Sequence, residues 1–179
     1  VKTRLLNFAM YQAGWFACVF GAADDHPWLG AGAAAMLVVV HGMLARERRA
    51  EWALILWAGV LGTAVDSLLM HLQVFRYDSG QWLAWLCPAW MSVLWMQFAT
   101  LLRYSLSWLA GRYALGALLG AAGGPLAYAS GIRLGAAEFG RPLVPSLLTL
   151  AGVWLVVTPT LLWLEERLRS SRASGGYRL

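Results

Sequence analysis

The sequence predicts an all-α fold, a polytopic bundle of six transmembrane helices with both termini on the cytoplasmic side. Three observations carry this. Apolar residue types make up 60% of the 179 residues and charged types only 13%, against about a quarter charged in soluble domains. Apolar stretches of about 18 residues or more recur, each long enough to cross roughly 30 Å of hydrocarbon. These runs lack the strict alternation of barrel strands, which leaves helices as the way to satisfy backbone polar groups in lipid.

The segments follow in order. The first, 5–23, comes after Lys2 and Arg4. That start loosely resembles a secretory leader, but Asn7 and Gln12 interrupt the apolar run, so a retained helix is expected. The second, 28–45, lies between the polar connections ADDHP and RERRAE. The third, 52–72, contains WALILWAGVLGTAVDSLLM and with it Asp66. The fourth, 82–102, has Pro88 near its start, where proline costs little. The fifth, 113–131, carries Gly116, Gly120 and Gly124 at a spacing of four, a single face that lets another helix approach closely. Pro125 and, in the sixth segment 145–164, Pro159 are expected to bend their helices. Residues 1–169 then form one transmembrane domain, and 170–179 a disordered cytoplasmic tail.

Charge orients the bundle. With the N-terminus inside, Lys2, Arg4, Arg46, Arg48, Arg49, Arg103, Arg112, Arg167, Arg169, Arg172 and Arg178 fall on the inner side, and Arg76, Arg133 and Arg141 on the outer. This positive-inside bias accounts for the formal charge of +5 without a nucleic-acid partner.

Helical rise places the polar residues in depth. Asp66 lies about 21 Å from the inner end of its segment, in the outer third. Cys18, Cys87, Trp90 and Tyr128 come out in the same layer, with His71 and Arg133 just above it. Asn7, His41, Gln97 and Thr158 fall in the inner half and Gln12 near the middle. A carboxylate facing lipid costs several kcal/mol, so Asp66 is expected to point inward at a donor, with Ser67, Tyr128 or Arg133 within reach. Trp28, Trp52, Trp82, Trp108 and Trp163 sit at segment ends as interfacial anchors, whereas Trp15, Trp90, Trp95 and Trp154 sit deeper, where an indole N–H can line a cavity. The two cysteines are read as buried thiols.

Metal and cofactor motifs are absent. There is no HExxH, CxxC, GxSxG or phosphate-cradling loop, and the three histidines lack ligand spacing, so neither metal nor cofactor is expected.

Four stretches, NFAMYQAGWFACVFGAA at 7–23, VDSLL around Asp66, FATLLRYSLSWL at 98–109 and GGPLAYASGIRLGA at 123–136, together resemble a family of small bacterial inner-membrane proteins known only as a domain of unknown function. The resemblance covers nearly the whole chain. It implies a multi-pass protein of the bacterial inner membrane, linked to lipid-modifying genes, and assigns no catalytic residue.

From the residues, the leading expectation is a protein that binds or modifies a lipid or isoprenoid-like molecule in an outer-leaflet pocket around Asp66. Asp66 would act as acid or base, and Ser67, His71, Tyr128, Arg133, Trp15, Gln12 and Trp90 would contact the ligand. Its partners would be membrane lipids, with lipid-modifying enzymes or another membrane subunit as further candidates. The alternatives are a small proton-coupled transporter, with Asp66 as the protonation site, and an accessory subunit of a larger membrane complex.

Overall fold

The structure, a computed structural model, describes residues 2–173, with side chains to 169. Six helices follow one another: α1 (Lys2–Ala23), α2 (Pro27–Leu44), α3 (Arg48–His71), α4 (Ala89–Leu102), α5 (Tyr113–Arg133) and α6 (Leu143–Ala173). All but α4 are long and apolar enough to cross a membrane. The outward faces carry Leu5, Phe8, Met36, Leu56, Trp57, Leu118, Leu126, Leu148 and Val156, all strongly exposed. Apolar exposure on this scale suits lipid rather than water. The protein is a multi-pass membrane bundle. The chain runs up and down, so one end, called distal below, carries the α1–α2, α3–α4 and α5–α6 loops, and the other carries both ends of the described chain.

α4 starts later than the apolar run at 82–102 suggests. Pro88 is its N-cap, with ψ near 149°, and the residue before a proline is biased away from helix. Residues 82–88 therefore form turns, closed by the Ala89 amide donating to the Gly80 carbonyl at 3.0 Å and the Cys87 amide to Ser67 Oγ at 2.9 Å. The 14 residues of α4 rise only about 21 Å. This is tolerated because α4 is the central helix: it packs against α1, α2, α3 and α6, and protein rather than lipid surrounds its ends. α6 runs past the expected end at 164 to Ala173. LEERLR is a good helix-forming continuation, stapled by Arg169 donating to Glu165 one turn back at 2.7 and 3.0 Å. The disordered tail expected from 170 onward lies, for residues 174–179, outside the described residues.

α5 and α6 pack as a close antiparallel pair. The faces buried on α5 are Gly116, Gly120, Gly124 and Gly131. Leu162, Thr158 and Trp154 of α6, also spaced by four, lie over the first three in turn. A Cβ at any of these three glycines would overlap the α6 side chain above it. Pro125 and Pro159 sit inside continuous helices.

At the distal end, two loops are pinned by a two-stranded antiparallel ladder, β1 (Phe75–Arg76) with β2 (Glu138–Phe139). Arg76 stands opposite Glu138, an opposite-charge cross-strand pair. The ladder fixes Phe75, which is 1% exposed, as a plug under the loops. Cys18 and Cys87 are buried free thiols.

Candidate functional site: an aromatic-walled cavity beside Asp66

Asp66 is fully buried, at 0% exposure. Its neighbours follow from a simple pattern on α3. Gly62 and Asp66 are one turn apart on the same face. The missing side chain at Gly62 leaves room for the Trp95 indole of α4 to lie directly on the α3 backbone. From there Trp95 Nε1 donates to Asp66 Oδ2 at 2.6 Å. On the other side, Tyr128 of α5 donates to Asp66 Oδ1, also at 2.6 Å. α5 repeats the arrangement: Gly124, one turn before Tyr128, makes room for the Trp154 indole of α6. Trp95 and Trp154 stack with centroids 4.8 Å apart and planes 7° from parallel. Two indoles thus fill the gap between two glycines on facing helices, and the carboxylate joins α3 to α4 and α5.

Next to this stack is a cavity of about 450 Å³. Phe75, Tyr77 and Trp90 close its distal end, Trp95, Tyr128 and Trp154 form the middle, and it continues towards Leu106, Trp108 and Leu109 near the opposite end. Its rings touch in a chain: Tyr77 on Trp90, Phe75 on both Tyr77 and Tyr128, and Phe98 edge-on to Trp154. Among the described residues, none that lines the cavity is Asp, Glu, Lys, Arg or His. α1 and α5 both border the cavity. They meet near the distal end, where a Cβ at Gly131 would sit 3.8 Å from Val19 and one at Gly135 3.5 Å from Ala23, but they do not pack along the rest of their length.

Four of the lining residues carry a fully buried polar atom without a hydrogen-bond partner among the described residues. Tyr77 OH, Trp90 Nε1, Trp154 Nε1 and Thr158 Oγ1 are buried and make no hydrogen bond. A buried donor left without a partner costs about 1–3 kcal/mol. Burial, with the Asp66 charge as a second cause, holds the Tyr77 phenol well above its usual pKa, so it stays a donor.

The sequence model of a family described as "Protein of unknown function (DUF2878)" matches residues 4–160. The chain belongs to the DUF2878 family. No curated protein and no solved structure matches it. The matched span takes in Asp66 and every residue of the cavity wall, from Tyr11 to Thr158.

In this DUF2878 chain the expected site residues fall into three groups. Tyr128, Trp15 and Trp90 line the cavity, as do the other two deep tryptophans, Trp95 and Trp154. Asp66 sits one layer behind the wall, reaching it through Trp95 and Tyr128. The remaining four are elsewhere. Ser67 donates to the Thr63 carbonyl at 2.6 Å and accepts from the Cys87 amide, which anchors the 82–88 turns. His71 is exposed, its Nε2 3.0 Å from the Trp85 carbonyl. Arg133 is exposed at the end of α5, and Gln12 is half-buried on α1 outside the cavity wall.

A second polar centre, which residue spacing and depth do not foretell, lies at the end opposite the distal loops. Glu51 and Glu165, each 1% exposed, face Arg103 just beyond α4. Arg103 Nε lies 3.1 Å from Glu165 and 3.7 Å from Glu51, and Nη1 donates to Glu47 at 3.2 Å. His41 Nε2 is 2.8 Å from Glu51. The cluster ties α2, α3 and α6 to the end of α4. Glu165 lies beyond the matched family span.

Proposed function

We propose that this protein is a bacterial inner-membrane protein that holds a lipid or isoprenoid-like molecule in the cavity beside Asp66. The observation that carries the reading is the cavity itself: about 450 Å³, walled by aromatic and aliphatic side chains without a charge. That volume is typical of small-molecule sites, which are largely apolar with a few placed polar groups. The gap between α1 and α5 supports lateral entry from lipid. In this reading Asp66 is a positioning residue. It fixes the Trp95 and Tyr128 side chains, and through them the shape of the wall.

A modifying activity is the second reading, favoured by one contact. The Tyr128 ring lines the cavity while its hydroxyl rests on Asp66, so Tyr128 would exchange a proton with the substrate and Asp66 would set its basicity. Transport and a subunit role have different signatures: flux in liposomes, and a stoichiometric partner on purification.

Gly123 tests the binding reading. It lines the cavity, and a Cβ there meets nothing within 4 Å, so Gly123→Phe adds bulk beside the cavity with no clash at its Cβ. Protein purified from its native membrane should carry a stoichiometric hydrophobic molecule, detected by mass spectrometry after extraction. Gly123→Phe and Ala127→Phe should carry much less. Identical bulk lipid profiles from all three proteins would refute the proposal.

A further inference from the structure

We infer that the cavity takes one hydrocarbon chain of an anionic lipid, which enters from the leaflet at the basic end of the bundle and leaves its charged head outside, at the level of Trp108. The inference rests on the lipid-binding reading above and names the head chemistry, the orientation and the entrance of that ligand.

The entrance follows from where the wall is exposed. Phe75, Tyr77, Trp90, Ala136 and Ala137 line the distal end, and all five are buried. The exposed lining residues are Trp108, Leu119 and Gly123. Trp108 lies in the α4–α5 connection, and the other two lie in the first half of α5. The cavity is therefore shut at the distal end and open from its middle towards the opposite end, on the side where α1 and α5 part. Its wall on α4 runs from Trp90 to Leu101, a rise of about 17 Å. That is close to the roughly 15 Å of hydrocarbon in one leaflet, so one chain of a membrane lipid matches its length.

The head is kept out by solvation. None of the described lining residues is charged, so a charged head drawn inside would lose its water without gaining a counter-ion. It stays at the mouth, where the interfacial ring of Trp108 is 44% exposed.

The sign of the head follows from the surroundings of that mouth. Ser105 Oγ donates to the Arg4 carbonyl and the Arg112 amide to the Leu109 carbonyl, each at 2.8 Å. Arg4 and Arg112 thus bracket the connection that carries Leu106, Trp108 and Leu109, and both are exposed. The rest of this end has the same sign. Lys2, Arg46, Arg48 and Arg49 are also exposed, and Glu47, which pairs with Arg103, is the exposed acid there among the described residues. At the distal end, exposed Arg76, Arg133 and Arg141 are balanced by Asp24, Asp25, Asp78 and Glu138. An apolar chain gains little by leaving lipid for an apolar cavity, because acyl chains are as apolar as leucine. Selection among lipids then falls to the head, and clustered cations at a membrane surface select anionic ones. The positive-inside rule makes this the cytoplasmic leaflet, so the ligand enters from the side away from Asp66.

The test uses the purified protein in nanodiscs of phosphatidylglycerol and phosphatidylcholine in equal amounts. Lipid retained after bulk lipid is stripped with detergent is measured by mass spectrometry. Phosphatidylglycerol should be retained preferentially, and Arg4→Gln and Arg112→Gln should each lower the preference by about fivefold, whereas Arg141→Gln at the distal end should leave it unchanged. Orientation is read with two photoactivatable phosphatidylglycerols. A diazirine at the chain end should label residues 75–95, and one beside the ester should label residues 106–119. Equal retention of the two lipids, a preference that falls as much with Arg141→Gln as with the other two changes, or the reverse order of labelling would overturn this inference and leave lipid binding intact. Displacement of the lipid by glycerol 3-phosphate would overturn it too, because the head alone would then be the ligand. Retention of no lipid, with no effect of Gly123→Phe on labelling, would overturn the lipid-binding reading itself.

Discussion

Replacing Asp66 by Ala removes both oxygens of a buried carboxylate and leaves Trp95 Nε1–H and Tyr128 O–H, each 2.6 Å from its acceptor in the native structure, with nothing to bond. In soluble proteins an orphaned buried donor costs about 1–3 kcal/mol. Interhelical hydrogen bonds measured in membranes average about 0.6 and reach about 1.7 kcal/mol, because the unfolded chain in lipid also finds partners. Two such bonds, both short and between different helices, set the expected loss for Asp66→Ala at about 1–3 kcal/mol. Asp66→Leu fills the space yet leaves the same donors bare, so it should lose a similar amount. Asp66→Asn can turn Oδ1 to Trp95, which only donates, and Nδ2 to the Tyr128 oxygen, which can accept. It should lose less than about 1 kcal/mol. The assay is reversible SDS-driven unfolding in mixed micelles, followed by tryptophan fluorescence. A double-mutant cycle with Tyr128→Phe should return a coupling of about 0.5–1.5 kcal/mol, since the hydroxyl loses its partner once the carboxylate is gone. An Asp66→Ala protein within about 0.3 kcal/mol of wild type, or a coupling of zero, would refute the reasoning that Asp66 holds these two side chains.

Two further outcomes follow from packing and charge. Arg103→Ala leaves Glu51 and Glu165 buried without their shared cation, and the same unfolding assay should show a loss of about 3–5 kcal/mol, with Glu165→Gln partly restoring the double variant. Gly62→Ala and Gly124→Ala push a Cβ into Trp95 and Trp154 respectively and should each cost about 1–3 kcal/mol, whereas Gly32→Ala, where a Cβ meets nothing within 4 Å, should be neutral or stabilising by up to about 1 kcal/mol; equal effects at all three positions would count against the glycine-and-indole packing.

Much of this architecture is legible from the chain alone. Hydropathy is a local sum, so the apolar runs show that the protein spans a membrane and how many helices it has. Helical rise converts residue number into depth, which separates the deep tryptophans from those at the ends and places Tyr128 level with Asp66. The cost of a charge in lipid requires Asp66 to face inward. Depth does not give azimuth, however, and azimuth decides partners. Trp95 rather than Ser67 or Arg133 meets Asp66, because Gly62 opens α3 on the side where α4 packs. The same cause sets Asp66 behind the cavity wall instead of in it. Other features exist only where distant segments converge. The ladder joining Phe75–Arg76 to Glu138–Phe139 and the Arg103 cluster, whose carboxylates lie in stretches that read as polar connection and helix end, are both of this kind. Residue type and spacing set what each helix must bury, and the neighbours that cover it are chosen by all six helices at once.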